Sequence, residues 1–353
     1  MKNKVLIILI CLLVLVGCTK PKDVDKDEDV VISRVDSSSY AVVAPFKSST
    51  LRDHHYIGDF LGIGNGMIEY SKGQFSVDKY ALKEGTILQE AGADLLALIN
   101  RQSTTNPNGL NPTRETEFET GNGVVVGPAI INDLFEINFV YPSDTSKIEG
   151  ITLGLSVSSN IDDNKGGTIA ITDDVLYQFA TNAGRKLESY FRNLPGLSDV
   201  PIYILIFDAY RQDSGLGGKF IAEGYFQARS GQFSKLEEKW VFIPTTESSN
   251  IDMTLHSQFV NMKKAIENII PDNIGVVGRG KFVNGVISYL KIDVSIMPKT
   301  YTEVYALIQY FDDYLTNTEI DADVYVEIKN FSTTLAILSK DRGSSSIDKV
   351  ILD

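Results

Sequence analysis

The chain has 353 residues, with 33 basic and 46 acidic side chains, so its net charge is −13. An acidic balance of this size argues against nucleic acid and anionic lipid headgroups as partners. Both cysteines, Cys11 and Cys18, lie near the N-terminus, which excludes a disulfide framework or a thiolate metal site in the folded region. The length allows stability to come from a large apolar core in one or two domains.

The N-terminal segment has the parts of a secretory signal peptide. Met1–Lys4 is basic, and Val5–Val16 is an unbroken apolar run. The run is shorter than the roughly 20 apolar residues that a stable transmembrane helix needs. A basic start, a short apolar stretch and a small residue before the cleavage point are typical of a signal peptide, which is predicted at residues 1–17.

The predicted cleavage point is a lipobox, formed by Leu15, Val16, Gly17 and Cys18. This pattern predicts that a diacylglyceryl transferase modifies the thiol of Cys18 and that a lipoprotein signal peptidase cuts before it. Two acyl chains, such as palmitate, anchor stably where one does not. The protein is therefore expected on the extracellular face of the cell membrane of a Gram-positive-type bacterium. The alternative is an ordinary signal peptide with a chance cysteine.

A polar segment follows the lipidated cysteine. Residues 18–39 carry a run of alternating charges and the string Ser37–Ser39, but few large apolar side chains. Such a segment cannot bury enough apolar surface to fold, so it is predicted to be a disordered tether. A calcium site in its acidic run is the alternative, but interleaved lysines and the lack of a glycine turn make a poor cage.

The first half of the body alternates strand and helix patterns. Period-two alternation predicts a strand over Ile148–Val157, and apolar positions three and four apart predict a helix over Thr172–Asn193, with Thr172 as its N-cap. β-Branched and aromatic runs predict strands over Val200–Phe207 and Phe220–Ala228. A further helical pattern at Ile87–Asn100 lies upstream.

The second half shows the same order. A helical pattern at Leu255–Ile269 comes first. A strand over Gly285–Ile296 and a helix over Thr302–Leu315 follow. Strands over Asp323–Lys329 and Thr334–Leu338 complete this half.

Both halves thus run strand, helix, strand, strand, which predicts an α+β fold built from two tandem repeats. One helix for each pair of neighbouring strands predicts mainly antiparallel sheets with helices packed on one face. The first repeat domain is placed at residues 40–245 and the second at residues 246–353. The alternative is two α+β segments that are alike only by chance.

A search for catalytic motifs finds little. The pair His54–His55 lacks the His-Glu-x-x-His spacing of a zinc site, and neighbours on a strand point to opposite faces. Ser76 and Lys79 have the spacing of penicillin-binding enzymes, but the accompanying motifs are missing. The glycine-rich stretches Gly62–Gly66 and Gly275–Gly280 are predicted to be tight turns rather than phosphate loops. The protein is therefore predicted to be no enzyme and to need no cofactor.

One loop has part of the pattern of a calcium-binding loop. Asp162 and Asn164 occupy its first and third positions, and Asp173 falls at the twelfth. The fifth position is glycine, and a predicted strand rather than a helix precedes the loop. These three residues are a calcium candidate, and the alternative is a plain connection from a strand to a helix.

Five segments of the body carry a family resemblance. They are Tyr40–Lys47, Gly109–Pro112, Ile148–Gly154, Asp199–Ile202 and Val276–Val283. In this order they resemble the CamS family of surface lipoproteins, whose signal peptides are precursors of sex-pheromone peptides. The resemblance covers nearly the whole chain after Cys18 and implies two tandem repeats, in agreement with the pattern of strands and helices.

The resemblance also implies where a pheromone would lie. In the family, the peptide directly precedes the lipidated cysteine, which corresponds here to Cys11, Leu12, Leu13, Val14, Leu15, Val16 and Gly17. A thiol opens this peptide and a glycine closes it, where the family pattern has small and aliphatic residues.

Together, these features favour a membrane-anchored lipoprotein whose cleaved signal peptide is a pheromone precursor and whose extracellular body is non-catalytic. The alternative is an extracellular binding module, in which the two repeats form a cleft for a small ligand, a peptide or a cell-wall fragment. Neither prediction involves nucleic acid.

Overall fold

The structure is a computed structural model and describes residues 29–44, 57–88, 94–209, 216–228, 230–271, 274–297 and 300–352. The predicted signal peptide, the lipobox and the candidate pheromone peptide lie outside these residues, as do His54 and His55. Within the described ranges, most neighbouring strands are antiparallel and helices connect several of them, which confirms the α+β class.

The strands are, in chain order, β1 Val30–Ile32, β2 Ala41–Ala44, β3 Ala81–Glu84, β4 Glu117–Glu119, β5 Val124–Val126, β6 Ile131–Val140, β7 Gly150–Val157, β8 Asn160–Asp162, β9 Thr168–Ala170, β10 Ile202–Asp208, β11 Lys219–Gln227, β12 Ser230–Lys235, β13 Glu238–Ile243, β14 Ile274–Val283, β15 Val286–Ile296, β16 Asp323–Asn330, β17 Thr333–Lys340 and β18 Asp348–Ile351. The helices are α1 Ile57–Ser71, α2 Asp94–Ile99, α3 Asp173–Arg192, α4 Thr246–Ile251, α5 Met253–Ile269 and α6 Tyr301–Asn317.

Two sheets organise these elements. The first sheet has 8 strands in the order β1-β2-β3-β6-β7-β10-β11-β12, and the second has 6 strands, β13 to β18 in sequence. The hairpins β4-β5 and β8-β9 form separate two-stranded sheets. The second sheet begins at Glu238, ahead of the predicted domain boundary at residue 246.

The last six strands of the first sheet have the same topology as the second sheet. In each set, the third and fourth strands are parallel, β7 with β10 and β15 with β16. All the other neighbours in the two sets are antiparallel. The helix between the parallel strands is α3 in the first set and α6 in the second. The strand, helix, strand, strand order predicted for both halves is therefore present, with one strand more at the end of each.

The predicted helices α3 and α6 form because their apolar side chains recur on one face. Buried Leu176, Ala180 and Leu187 of α3 share a core with β7 and β10, and buried Val304 and Phe311 of α6 share one with β15 and β16. Both helices begin after a threonine in extended conformation, as expected for an N-cap.

The prediction that helices pack on one face of each sheet is wrong for the first sheet. Alternate residues of β10 point to opposite faces, and both faces are buried. Ile204 belongs to the core that includes α3, whereas Leu205 belongs to a second core with Ile63 and Met67 of α1. In the second sheet, α5 and α6 share a single core.

The glycines predicted to form a tight turn at Gly62–Gly66 lie instead inside α1. A Cβ atom on Gly66 would overlap the ring of Phe220, whereas a Cβ on Gly64 would meet nothing within 4 Å. Gly66 therefore allows α1 to approach the sheet closely, and this tertiary contact outweighs the low helix propensity of glycine.

Gly275–Gly280 is also no turn, since it lies within the long strand β14. A Cβ on Gly278 would lie 2.7 Å from Cε2 of Phe259 on α5. The missing side chain is therefore explained by the close packing of a helix on the strand rather than by chain reversal.

Part of the predicted disordered tether is ordered. Val30–Ile32 forms β1, which pairs with β2 at the edge of the first sheet. Lys83 forms an ion pair with Asp29 at 2.9 Å, and Arg34 pairs with Asp78. The short run of β-branched residues is stable because β2 offers it a partner, which the composition of the segment alone does not reveal.

No helix among the residues described is long and apolar enough to cross a membrane.

Candidate functional site

The two sheets meet around the carboxylate of Glu238, the first residue of β13. Its Oε1 accepts a hydrogen bond from the hydroxyl of Tyr70 in α1 at 2.6 Å, and its Oε2 accepts one from the backbone N–H of Phe220 in β11 at 2.8 Å. Lys281 of β14 completes the set with an ion pair to Oε1 at 2.7 Å. The Glu238 side chain is 1% exposed, so these contacts replace the water that a buried carboxylate would otherwise need.

The partners of Glu238 come from both sheets. Burial, together with the neighbouring Glu238 carboxylate, raises the pKa of Tyr70, so the hydroxyl keeps its proton and remains a donor. Nearby, the indole Nε1 of Trp240 donates to the carbonyl oxygen of Gly218 at 3.0 Å. The Trp240 ring also packs edge-on against Tyr289, with centroids 6.0 Å apart. These contacts connect the edge of the second sheet to α1 and β11.

Glu238 and its partners Tyr70, Phe220 and Lys281 form the Glu238 junction, and a cleft of about 490 Å³ lies beside it. Its volume is within the range of roughly 300–1,000 Å³ that is typical of small-ligand sites. The first sheet and α3 supply one part of its lining, and β13, α4 and the β14-β15 turn supply the other. The lining residues are Asp173, Leu176, Tyr177, Lys219, Ile221, Lys235, Leu236, Glu237, Glu238, Lys239, Ile251, Phe282 and Gly285.

The apolar part of the lining comes from several elements. Leu176 of α3 and Phe282 of β14 are buried, and Ile221, Leu236 and Ile251 are half-buried. All five also pack on a hydrophobic core, and the three half-buried ones keep apolar surface exposed in the cleft. The cleft can therefore hold an apolar group as well as polar ones.

Charges of both signs line the same cleft. Lys235 pairs with Asp174 at 2.7 Å and lies over the ring of Tyr177, with Nζ 5.2 Å from the centroid. This contact with Lys235 lowers the pKa of Asp174. Lys239 pairs with Glu247 at 2.6 Å. All four charged groups are more than half exposed, so water and salt weaken both pairs and a ligand could compete for them.

Three further charged residues line the cleft without an ion-pair partner among the residues that the structure describes. Lys219, Asp173 and Glu237 make no ion pair with any other residue that the structure describes. Lys219 is half-buried, and the two acids are exposed. One cation and two anions are thus available to a solute in the cleft.

A serine of α4 and a histidine of α5 lie together. The hydroxyl of Ser248 is 2.9 Å from Nδ1 of His256 and also donates to the carbonyl oxygen of Thr245 at 2.8 Å. Ser248 is buried and is part of the capping box that starts α4. The Ser248 hydroxyl also accepts the backbone N–H of Thr245 at 3.0 Å, so the side chain is used in the cap rather than held free as a nucleophile.

The outer face of the second sheet carries a network of charges. Glu327 pairs with Lys291 at 2.8 Å and with Lys329 at 2.9 Å, and Arg279 pairs with Asp293 at 2.6 Å. Burial opposes ionisation of Glu327, but hydrogen bonds from these lysines and from Thr334 outweigh it and lower its pKa to about 2. Glu327 therefore stays ionised over the ordinary range of pH.

The register explains why this face differs from its counterpart in the first sheet. Glu327 lies opposite Asp293 in the second sheet, whereas Leu205 lies opposite Gly154 at the corresponding place in the first. A Cβ on Gly154 would lie 2.6 Å from Sδ of Met67, so α1 covers that face. In the second sheet, Asp293 and Glu327 take these positions on the outer face, because α5 and α6 share the core on the opposite face.

The calcium candidates do not come together as a set. Oδ1 of Asp162 accepts the backbone N–H of Asn164 at 2.7 Å, and the Asn164 amide donates to the carbonyl of Val126 at 2.8 Å. Asp173 starts α3, after the intervening β9, and lines the cleft. Among the residues described, no three acidic, histidine or cysteine side chains are grouped to hold a metal. Calcium binding stays a prediction.

Apart from Asp173, which was singled out only as a calcium candidate, the sequence did not point to the residues of the cleft or of the Glu238 junction. Their side chains come from segments far apart in the chain, and none has a local motif. The only available signal was the predicted juxtaposition of two repeats. Cys18, the cleavage residues and the candidate pheromone peptide lie outside the described residues, so their roles remain predictions.

Comparison with known families bears on the sequence resemblance. A family model described as "CamS sex pheromone cAM373 precursor" matches residues 48–346. The chain belongs to this family. The resemblance seen in the sequence of this CamS-family protein is therefore confirmed.

Two solved structures are similar to this CamS-family protein. A sex pheromone precursor from Lactobacillus salivarius subsp. salivarius UCC118 matches with a TM-score of 0.77 and 20% identity, over 92% of this chain and 99% of that chain. The C-terminal domain of the sex pheromone staph-cAM373 precursor from Staphylococcus aureus matches with a TM-score of 0.67 and 21% identity, over 84% and 97%. At these identities the likeness shows the fold alone. A comparison with curated proteins gives no match.

Proposed function

We propose that this protein is a lipoprotein held on the outer face of a bacterial membrane through Cys18, and that its signal peptide is the precursor of a pheromone peptide. The observation that carries the proposal is the lipobox Leu15–Cys18 in a chain that belongs to a family of pheromone precursors. The same pattern in an unrelated chain would support an anchor and no more.

The processing follows a fixed order of steps. The sulfur of Cys18 displaces the phosphate headgroup of a membrane glycerophospholipid, so that a C–S bond to the diacylglyceryl group forms, the C–O bond to the phosphate breaks and the thiol proton leaves with the headgroup. Water then hydrolyses the amide bond between Gly17 and Cys18 to a carboxylate on Gly17 and an amino group on Cys18. The released signal peptide is then trimmed to Cys11–Gly17, which is uncharged in its side chains at neutral pH. Such a peptide can leave the membrane and be taken up by a receiving cell.

Mass spectrometry of the culture supernatant tests the peptide directly. Cys11–Gly17, or an oxidised or trimmed form, is expected from the wild type and absent from Cys18→Ala, because the lipid is needed before the cut. Cys11→Ala is the matched control and should still release a peptide, at the mass of the substituted sequence. Membrane fractionation of the same cultures should find the body bound in wild type and Cys11→Ala, and detached or unprocessed in Cys18→Ala.

One outcome would separate the two parts of the proposal. If a synthetic standard is detected in the same medium while the native peptide is not, and Cys18 still anchors the body, the precursor role fails and the lipoprotein role stands.

For the body, we propose a binding role rather than catalysis. The supporting observation is the cleft of about 490 Å³ between the two sheets, with apolar and charged lining. A bound ligand would raise the melting temperature, since binding to the folded state alone adds about 2.7 kcal/mol of stability at a ligand concentration of 100 times Kd. Melting curves with a short peptide, with the disaccharide chitobiose and with inorganic phosphate test this, and no shift with any of them would count against a binding role in the cleft.

A further inference from the structure

The cleft between the sheets combines an apolar floor with separate charges of opposite sign. Its floor includes the half-buried Ile221, Leu236 and Ile251, and its charged lining includes Lys219, Asp173 and Glu237. Because the three charged residues form no ion pair with another described residue, their charges are available to a solute. A ligand matched to this lining carries a positive group, a negative group and an apolar group.

The aromatic side chains of the cleft argue against a sugar. A sugar ring commonly packs on an open aromatic face, but Nζ of Lys235 lies over the ring of Tyr177 at 5.2 Å from its centroid. Phe282 is 1% exposed, so its ring offers no open face to a sugar. An uncharged sugar would also leave Lys219 without a counter-charge in a half-buried position.

The lining of the cleft comes from both sheets. Lys219 lies in β11 of the first sheet and Asp173 in α3, which packs on that sheet. Phe282 lies in β14 of the second sheet and Ile251 in the neighbouring helix α4. Between them runs the connector that contains Glu237 and leads into the buried Glu238 junction. Since that junction links α1, β11 and β14, the two sides of the cleft are held in place before any ligand arrives.

We infer that the cleft binds a short peptide with free ends and at least one apolar side chain. The inference rests on the proposed binding role of the body and names the class of its ligand. Lys219 pairs with the peptide carboxylate, Asp173 or Glu237 pairs with the amino terminus, and the apolar side chain lies against Ile221, Leu236 and Ile251. Lys235 and Lys239 lie beside the bound peptide. Because their ion pairs with Asp174 and Glu247 are exposed, they can exchange these pairs for contacts with it.

The test uses the whole chain after the predicted cleavage site, produced without lipid, and isothermal titration calorimetry. The probe is the free tripeptide Ala-Phe-Ala, compared with its N-acetylated, C-amidated form. The free peptide is expected to bind, and blocking both ends should weaken binding at least tenfold, which corresponds to about 1.4 kcal/mol.

Two lysine variants locate the site. Lys219→Met should weaken binding of the free peptide about tenfold, since a half-buried charge-assisted hydrogen bond is lost. Lys264→Met, an exposed lysine on α5 outside the cleft lining, should bind as the wild type does. Melting temperatures of both variants within a few degrees of wild type show that folding is intact; if Lys219→Met fails to fold, Glu237→Gln takes its place and should weaken binding in the same direction.

Three results would overturn the inference. They are equal affinity for free and blocked peptide, equal affinity of Lys219→Met and Lys264→Met, and absence of binding by the free peptide. If the peptide fails but chitobiose or inorganic phosphate raises the melting temperature, the binding role of the body stands and its peptide class is wrong. If all three probes fail while Cys18 still anchors the chain, the binding role fails and the lipoprotein role is untouched.

Discussion

The hydroxyl of Tyr70 donates a hydrogen bond to the carboxylate of Glu238, 168 positions further along the chain, at 2.6 Å. This contact joins the helix on one face of the first sheet to the edge strand of the second. The backbone N–H of Phe220 donates to the same carboxylate, and Lys281 forms an ion pair with it. One buried side chain therefore connects elements of both sheets. The relative position of the two sheets therefore depends on a small number of polar contacts in an apolar setting.

Removing these contacts should lower stability in a graded way. Tyr70→Phe should reduce the free energy of unfolding by about 1 kcal/mol, the usual contribution of one hydrogen bond. Glu238→Ala should reduce it by about 3 kcal/mol, because Lys281 and the Phe220 N–H lose their partner. Urea unfolding followed by tryptophan fluorescence measures both, since Trp240 lies at the junction. Glu237→Ala, next in sequence but exposed, is the control and should change stability by less than about 0.5 kcal/mol; an equal effect at both glutamates would contradict the role of the junction.

Two glycines of α1 should respond oppositely to alanine. Gly64→Ala should raise the free energy of unfolding by about 0.5–1 kcal/mol, because the site is open and alanine is the better helix former. Gly66→Ala should lower it by about 1–3 kcal/mol, because the new Cβ overlaps the buried ring of Phe220. Thermal unfolding of the two variants side by side measures the difference. Stabilisation by both substitutions would show that α1 does not pack closely on the sheet.

Two threonines at helix N-termini should also differ. Thr300 accepts the backbone N–H of Glu303, and the Glu303 side chain accepts the backbone N–H of Thr300 in return, which forms a capping box at α6. Thr300→Ala should cost about 1 kcal/mol of stability. The side chain of Thr172 makes no capping hydrogen bond at α3, so Thr172→Ala should cost less than about 0.5 kcal/mol. Denaturant unfolding of the pair tests this, and a larger loss at Thr172 would rule out capping as the cause.

The charge network on the second sheet predicts a pH dependence. The pKa of Glu327 falls from the ordinary 4.5 to about 2 in the folded protein, because hydrogen bonds from Lys291 and Lys329 outweigh the opposing effect of burial. A carboxyl whose pKa is lowered by folding stabilises the folded state above its unfolded pKa. That stability is lost as the pH falls from about 4.5 to about 2.

Glu327→Gln should therefore be less stable than wild type near neutral pH, and the difference should shrink as the pH approaches 2. Urea midpoints measured in steps over this range give the two curves. Glu319→Gln, at an exposed glutamate, is the control and should run parallel to wild type. A constant gap between wild type and Glu327→Gln down to pH 2 would show that the ion pairs do not hold the carboxyl in its charged form.

The elements that were predicted correctly are those whose sequence pattern and tertiary role agree. In α3 and α6, apolar residues three and four apart are the same residues that pack on the sheet. In β10, a run of β-branched and aromatic residues is buried on both faces. Local propensity and burial point to one answer in each case, so a single sequence is sufficient.

The elements that were missed depend on a partner elsewhere in the chain. Helix α1 contains Gly62, Gly64 and Gly66, and only the ring of Phe220 explains why the last of these is needed in a helix. Strand β1 is short and lies in a polar stretch of the sequence, and its pairing with β2 is what stabilises it as a strand. The cleft is the extreme case, because Lys219 and Phe282 become neighbours only once two sheets have formed and met.

The ordered strand β1 also sets the point at which a tether from Cys18 would join the folded body. The stretch from Cys18 to Val30 reaches at most about 40 Å when fully extended. β1 and β12 are opposite margins of an eight-stranded sheet. At about 4.8 Å per strand they are roughly 34 Å apart. In a chain anchored at Cys18, the tether would thus join the body at the β1 margin, and Lys235, at the end of β12, would lie at the opposite margin of the same sheet.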